Sequence, residues 1–471
     1  MATVDPPPPG RRGLRLLPLI ALVYCLSASG PFGIEEIVPA SGPGLSILLI
    51  LLLPIFYGLP LGLAAGEMGS RFPVEGGYYR WIRHVFGDFW GFQAGWWAWM
   101  GGLFDGALYA SLVAQYSMPF VNAWLPAAWA MPARQAVCLV VIVACTWANL
   151  RGIQIVGWSS VVFAIFIVSP FALLCGLALL HGTHDPLVPM KPPDKGWLEA
   201  LGVGTLIGMW SYSGYESLST AAEELEDPRR NYLRAVLIAI VVTVPTYLLP
   251  VLAGLALAPD WSAFAAGSFA DVAKAVGGPG LETWIAAAGI ISMLALFNGY
   301  TLAYSRIPFT MAQDGFLPRP LARTHAVHGT PWVALVAGAC IYAALTFCTI
   351  ENLVVLEMWC FSGLYILIYL ALWALRRRPE LDPAGPPGMA PAAGQEAQAR
   401  STGRFVIPAG RRGIWWVILP PILLIVMAMF GSGAEYIYYG GPAILSGPLV
   451  YAIVRRLRAR RSAAQEERCD V

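Results

Sequence analysis

The stretch Ser27-Ala28-Ser29-Gly30-Pro31-Phe32-Gly33-Ile34-Glu35-Glu36-Ile37-Val38 interrupts the first apolar run of the chain, and its reading decides the fold. A helix entering from Leu16 meets Pro31, which has no amide to donate, between Gly30 and Gly33, each weakening a helix by about 1 kcal/mol. The backbone is expected to unwind at membrane depth and to restart at Ile34. Much later, Trp210-Ser211-Tyr212-Ser213-Gly214-Tyr215-Glu216-Ser217 interrupts another apolar run in the same way. A single interruption of this kind reads equally well as an ordinary kink. Two of them, each followed by an acid, read as paired breaks, because unwound backbone at membrane depth is tolerated only where it lines a cavity or is buried in protein.

The composition around these breaks is that of a membrane protein. Of 471 residues, 57% are apolar and only 12% charged, where a soluble chain carries about 25% charge. The apolar residues fall in blocks about 20 long, the length of a membrane span. Twelve such blocks begin near Leu16, Gly44, Gly87, Arg134, Ile155, Leu198, Tyr232, Leu281, Pro331, Leu353, Ile414 and Glu435. Threaded alternately, they leave all Lys and Arg except Arg134, Lys191, Lys195 and Lys274 on one face. By the positive-inside rule that face is cytoplasmic and holds both termini. The expected protein is an all-α, multi-pass protein of the cell (plasma or inner) membrane. The breaks fall in spans one and six. They are offset by five spans, an odd number, so two similar five-helix units would have opposite orientation: a five-plus-five inverted repeat. The resulting division is a cytoplasmic tail over 1–15, a first repeat over 16–180, its inverted counterpart over 198–375, a Pro- and Ala-rich cytoplasmic linker over 376–413, two further helices over 414–456 and a C-terminal tail over 457–471.

No motif of a zinc hydrolase, serine hydrolase or phosphate-binding loop is present, so neither an enzyme nor a nucleotide-driven pump is expected, and no cofactor or metal. A net charge of +2 offers no face for nucleic acid. What remains is acid within apolar spans: Glu35 and Glu36 after the first break, Asp105, Glu216 after the second break, and Glu357. Each costs about 2.5 to 3.5 kcal/mol at the bilayer centre on insertion scales, which argues that they face a polar pathway. Glu35 and Glu36 point about 100° apart, so one of the two is expected to reach the cavity, and the spacing does not say which. Capping of the half-helix that restarts after Gly33 is the alternative. Glu67, four residues before Arg71, reads as an interfacial acid. Aromatic residues accompany the acids: Phe32 in the first break, Trp210, Tyr212 and Tyr215 in the second, and Tyr109 one turn from Asp105. Aromatic faces add about 0.5 to 2 kcal/mol to cation binding.

Three stretches carry a resemblance: Phe72-Pro73-Val74-Glu75-Gly76-Gly77-Tyr78-Tyr79, Glu224-Leu225-Glu226-Asp227-Pro228-Arg229-Arg230-Asn231, and Arg306 through Gly315-Phe316-Leu317-Pro318. Together they resemble the amino acid–polyamine–organocation (APC) family of secondary transporters, over spans one to ten. Ser29 through Glu36, Trp90-Gly91-Phe92-Gln93-Ala94-Gly95-Trp96 and Asp105-Gly106-Ala107-Leu108-Tyr109 are similar to its plant and protozoan polyamine-uptake subgroup. The resemblance implies the twelve-helix inverted fold and alternating access. It also implies a substrate site formed by Ser29, Gly30, Phe32, Gly33, Glu36, Asp105, Tyr109, Trp210, Tyr212, Tyr215, Glu216 and Glu357. Ordinary amino-acid permeases of the family show a Gly-x-Gly break whose amides hold a substrate carboxylate, and Pro31 removes one such donor here. Ser211 and Ser213 stand where the polyamine subgroup often has amides.

The expected function is transport of a polyamine or related organic cation with a coupling proton carried by Asp105, Glu216 or Glu357, in a monomer or homodimer. An amino-acid permease or exchanger of the same fold is the alternative, and a transporter-like sensor a third reading.

Overall fold

The computed structural model describes residues 16–28, 30–72, 76–122, 124–151, 156–216, 228–258, 260–378, 381, 406–407 and 410–469. Among these the regular structure is entirely helical. In chain order the α-helices are α1 (Leu16–Ser27), α2 (Ile37–Ser41), α3 (Pro43–Arg71, through a π-turn at Pro54–Gly58) and α4 (Gly77–Phe86). Next come α5 (Asp88–Asn122), α6 (Ala130–Leu150), α7 (Val156–His181), α8 (Trp197–Ser211) and α9 (Pro228–Leu257). The series closes with α10 (Ser268–Gln313), α11 (Trp332–Leu345), α12 (Ile350–Arg377), α13 (Gly410–Gly431) and α14 (Ala434–Cys469).

Eight helices among the described residues are long and apolar enough to cross a bilayer, in α3, α6, α7, α9, α10, α12, α13 and α14. The twelve blocks of the sequence exceed this for physical reasons. Two blocks are broken, leaving halves of 12 residues in α1 and 15 in α8. A third, α11, is 14 residues long, and the 35-residue α5 is diluted by Gly, Gln and Asp.

The first break lies where the glycines and proline put it. Helix α1 stops at Ser27, Gly30 and Gly33 take left-handed φ of 95° and 87°, and one 3-10 turn over Ile34–Glu36 leads into α2. The second break follows Ser211, with Gly214 at φ 93° and the backbone described as far as Glu216. The second half of span six, with the motif Glu224 to Asp227, lies outside the described residues, as do Pro73 to Glu75 and Ser29. The two breaks meet. A Cβ on Gly33 would lie 2.7 Å from Cζ3 of Trp210, so only glycine lets the tryptophan ring rest there.

Helix α5 runs through the core against α10 and α12. It approaches α10, α11 and α12 through small residues: a Cβ on Gly102 would sit 2.5 Å from the Tyr304 ring, one on Gly106 2.6 Å from Tyr342, and one on Gly101 2.8 Å from Phe361. Asp105 lies between Gly102 and Gly106, so the packing that seats α5 also sets the depth of its one buried acid. At 1.5 Å per residue, Asp105 is about 25 Å from Asp88 at one end of α5 and about 16 Å from Tyr116 near the other. Helix α14 lies outside this core, tied to α5 by Trp96 Nε1 donating to Ser446 Oγ (2.8 Å) and Trp97 Nε1 to the Ile444 carbonyl (2.9 Å).

Candidate functional site

Three acids from three elements gather at mid-depth. Asp105 of α5, Glu216 after the second break and Glu357 of α12 are 1%, 0% and 4% exposed. Asp105 and Glu357 are within hydrogen-bonding reach of each other, and Glu216 is near enough for its charge to act on Asp105. Tyr109 and Tyr304 also reach Asp105, and Trp210 reaches Glu357. Tyr365 donates its hydroxyl to Glu216 Oε1 at 3.1 Å. Among the described residues no Lys or Arg pairs with Asp105 or Glu357, and Asp105 Oδ1 and Glu357 Oε2 are buried without a hydrogen-bond partner. An acid pair set in protein without a cation is costly, and a proton or an ammonium group between the oxygens relieves it.

Tyrosines wall this cluster. Tyr109 stacks on Tyr300 (5.5 Å between centroids), Tyr300 on Tyr304 (5.0 Å), Tyr304 meets Phe361 (5.9 Å), Phe361 stacks on Tyr365 (5.6 Å) and Tyr365 meets Tyr57 edge-on (6.1 Å). The aromatic chain passes from α5 through α10 and α12 to α3. The sequence reading missed Tyr57, Tyr300, Tyr304 and Tyr365. A signal for three of them was present: Tyr300 and Tyr304 are four apart, and Glu357, Phe361 and Tyr365 repeat at the same interval, which places each set on one helix face.

The other expected residues fall in two further groups. Tyr212 and Tyr215 are buried at the second break, and the Tyr212 hydroxyl donates to the Ile50 carbonyl (2.9 Å) while its ring stands edge-on to Tyr247 (5.3 Å). Ser213 and Tyr57 share a hydrogen bond of 2.9 Å, fixing the same turn to α3. Glu35 and Glu36 form the other group. Glu35 Oε2 accepts from the Gly33 amide at 2.6 Å and Oε1 from Gly267 at 3.3 Å, while Glu36 Oε1 accepts from Ala266 at 2.8 Å. Both acids thus bind the loop before α10. Phe32 lies in the same layer, edge-on to Tyr116 (5.5 Å) and Phe171 (5.3 Å), with Phe171 edge-on to Phe269 (5.6 Å). This aromatic layer lies at the Tyr116 end of α5, about 16 Å along the helix from Asp105. Gly30 allows it to form, since a Cβ there would lie 2.4 Å from Ile167.

The opposite end is closed by charge. Asp314, just past α10, accepts from Tyr79 (2.8 Å) and pairs with Arg83 (2.7 Å) and Arg80 (3.6 Å) of α4. Two stretches of the family resemblance, Phe72–Tyr79 and Arg306–Pro318, therefore meet in one ionic network. Glu67, expected at the interface beside Arg71, has further partners within the protein. It is fully buried, its Oε1 accepting from Arg71 (2.8 Å) and from Arg376 Nε (2.9 Å), and its Oε2 from the Ile407 amide (2.9 Å).

Acids buried among apolar helices, with aromatic packing toward one end and an ionic network at the other, describe a helical membrane protein that holds carboxylates in its interior. The family model for amino acid permeases matches residues 14–454, and the chain belongs to that family. It is a transport protein and not an enzyme. It is 30% identical over 455 residues to the polyamine transporter RMV1 of Arabidopsis thaliana, covering 95% of this chain and 86% of that one. It is likewise 30% identical over 462 residues to the polyamine transporter PUT1 of Oryza sativa subsp. japonica, covering 97% and 81%. An uncharacterized transporter of Mycobacterium tuberculosis, Rv1999c, is 29% identical over 381 residues, 78% and 80% of the two chains.

Proposed function

We propose that the chain is a secondary transporter of polyamines or closely related organic cations, coupled to protons and working by alternating access. In this reading α1 with α2 and α8 with the segment after Glu216 are the broken spans one and six of a twelve-span, five-plus-five inverted repeat. The membrane is the plasma or inner membrane, with both termini cytoplasmic, and the working unit is a monomer or homodimer.

The carrying observation is the acid cluster of Asp105, Glu216 and Glu357 inside a tyrosine wall. An alkyl ammonium group donates up to three hydrogen bonds, and a diamine offers two such groups joined by methylenes that suit aromatic faces. A second observation favours an amine over an amino acid. At the first break Pro31 has no amide, and the Gly33 amide is occupied by Glu35 Oε2 at 2.6 Å. A substrate carboxylate would find that cradle filled and three acids nearby. Plant relatives named as polyamine transporters agree with this choice. In this reading the coupling proton is carried by Asp105 or Glu357, the two carboxylates within reach of each other, or by Glu216, and the remaining acids with Trp210 hold the cation. Ser29, Gly30, Gly33 and Phe32 supply the break and the layer above the substrate, with Tyr212 and Tyr215 at the facing turn. Glu36 joins the layer through Ala266.

Uptake of radiolabelled putrescine into proteoliposomes tests this. Asp105→Asn, Glu216→Gln and Glu357→Gln should each raise the half-saturating concentration about tenfold or more, since a hydrogen bond to a charged group is worth about 1.5–3 kcal/mol. Uptake should be competed by spermidine and not by alanine, and should follow an imposed pH gradient. Wild-type transport by Glu216→Gln, or competition by alanine over spermidine, would overturn the substrate assignment. Indifference to the gradient would remove the proton.

A further inference from the structure

A surface cavity of about 440 Å³ opens between the start of α5 and the middle of α14, lined by Phe89, Pro448, Tyr451, Ala452, Arg455 and Arg456. Its charged groups are not used by the fold. Arg458, one turn on, is spent on the protein: Nε donates to the Gly315 carbonyl (2.8 Å), and its guanidinium lies 4.0 Å from the centroid of Phe316. The only acid at the start of α5, Asp88, is paired with Arg83 at 2.7 Å. Arg455 and Arg456 are exposed and make no ion pair among the described residues. The cavity floor is aromatic and ordered by packing, with Tyr451 edge-on to Phe89 (5.2 Å) and tilted on Phe92 (5.3 Å).

Away from the arginines, α14 exposes Leu445, Leu449, Ile453 and Leu457, at 61%, 66%, 57% and 50%. These lie four residues apart and form one apolar stripe along the helix. Trp90, 43% exposed, stands edge-on to Phe89 at 5.1 Å, and exposed tryptophans favour the membrane interface. A basic cavity at the interface, at the foot of an apolar stripe some three turns long, matches a ligand with an anionic head and long hydrocarbon tails.

We propose that this cavity binds the phosphate headgroup of an anionic phospholipid, with Arg455 and Arg456 on the phosphate, Tyr451 and Phe89 beneath the glycerol, and an acyl chain along Leu457, Ile453, Leu449 and Leu445. The lipid would bridge α5 and α14 from outside, so it does not depend on which solute the central acids carry.

The test is native mass spectrometry of the full chain extracted from bilayers of phosphatidylcholine with and without phosphatidylglycerol, beside thermal melts in detergent with added phosphatidylglycerol, phosphatidylcholine or inorganic phosphate. The wild type should retain phosphatidylglycerol over phosphatidylcholine by at least fivefold and melt higher with it. The double variant Arg455→Gln/Arg456→Gln should lose that preference while melting as the wild type does in phosphatidylcholine. Leu449→Ser should weaken retention with the arginines intact. Equal retention of the two lipids, or a double variant that still prefers phosphatidylglycerol, overturns the proposal. Protection by inorganic phosphate equal to that by the lipid overturns it too, since the site would then hold free anion.

Discussion

Replacing Glu67 by glutamine keeps the shape of the side chain and removes one charge from a fully buried position. The carboxylate accepts from Arg71, from Arg376 through two nitrogens and from the Ile407 amide, with three of the contacts at 2.8, 2.9 and 2.9 Å. Glutamine brings an NH2 group to a place where every neighbour is a donor, so at least one of these contacts becomes donor against donor. Removing one partner of a buried pair costs about 3–5 kcal/mol. The two arginine side chains are 13% and 14% exposed and recover part of this from water, leaving about 2–4 kcal/mol. For a chain of this length a cost of that size corresponds to about 2–4 °C in midpoint. Heating purified protein and following the monodisperse fraction by size-exclusion chromatography reads that shift. Because Arg376 and Glu67 join α12 to α3, Arg376→Gln should fall by a similar amount. The double variant should fall by little more than either alone, a coupling of at least ~1 kcal/mol. A Glu67→Gln protein that melts with the wild type, or penalties that add, would refute the clamp.

Gly33→Ala meets both a left-handed φ of 87° and the Trp210 ring at 2.7 Å. About 1–2 kcal/mol from the dihedral and about 1–3 from overpacking should lower the melting midpoint and stop uptake. Shortening Trp210 to phenylalanine in the same chain should return the packing part in the melt, and no return would show that the two breaks do not touch. Asp314→Asn releases Tyr79, Arg83 and Arg80 at an end where the carboxylate is partly exposed, so a smaller loss than at Glu67, about 1–2 kcal/mol, is expected. A cysteine placed at Thr310 should then become more reactive to water-soluble maleimide, and unchanged labelling would count against Asp314 as a closing contact.

What could be read from the chain alone follows from where the physics is carried. Proline and glycine act on their own backbone, so the first break was visible as Gly30-Pro31-Phe32-Gly33, and the structure unwinds there. Acids in apolar runs are visible because of their insertion cost, and Asp105, Glu216 and Glu357 come together from two helices and a broken turn that neither spacing nor composition links. The partners of Glu35 and Glu36 were not legible, because they are the backbone amides of Gly267 and Ala266, and an amide carries no residue identity. Glu67 was legible only in part. Its near partner Arg71 lies one turn away and is marked by the i,i+4 spacing, while Arg376 and the Ile407 amide, which bury it, arrive from α12 and from a residue 340 positions on. The tyrosine wall lies between these cases, with its four-residue spacing written in the chain and the acids it faces set only by the glycine contacts of α5. Gly102 and Gly106 should therefore tolerate substitution less well than the tyrosines. An alanine at either would push α5 off α10 or α11 and carry Asp105 out of reach of Glu357, while a phenylalanine at Tyr304 keeps the helices seated and removes one hydroxyl from Asp105.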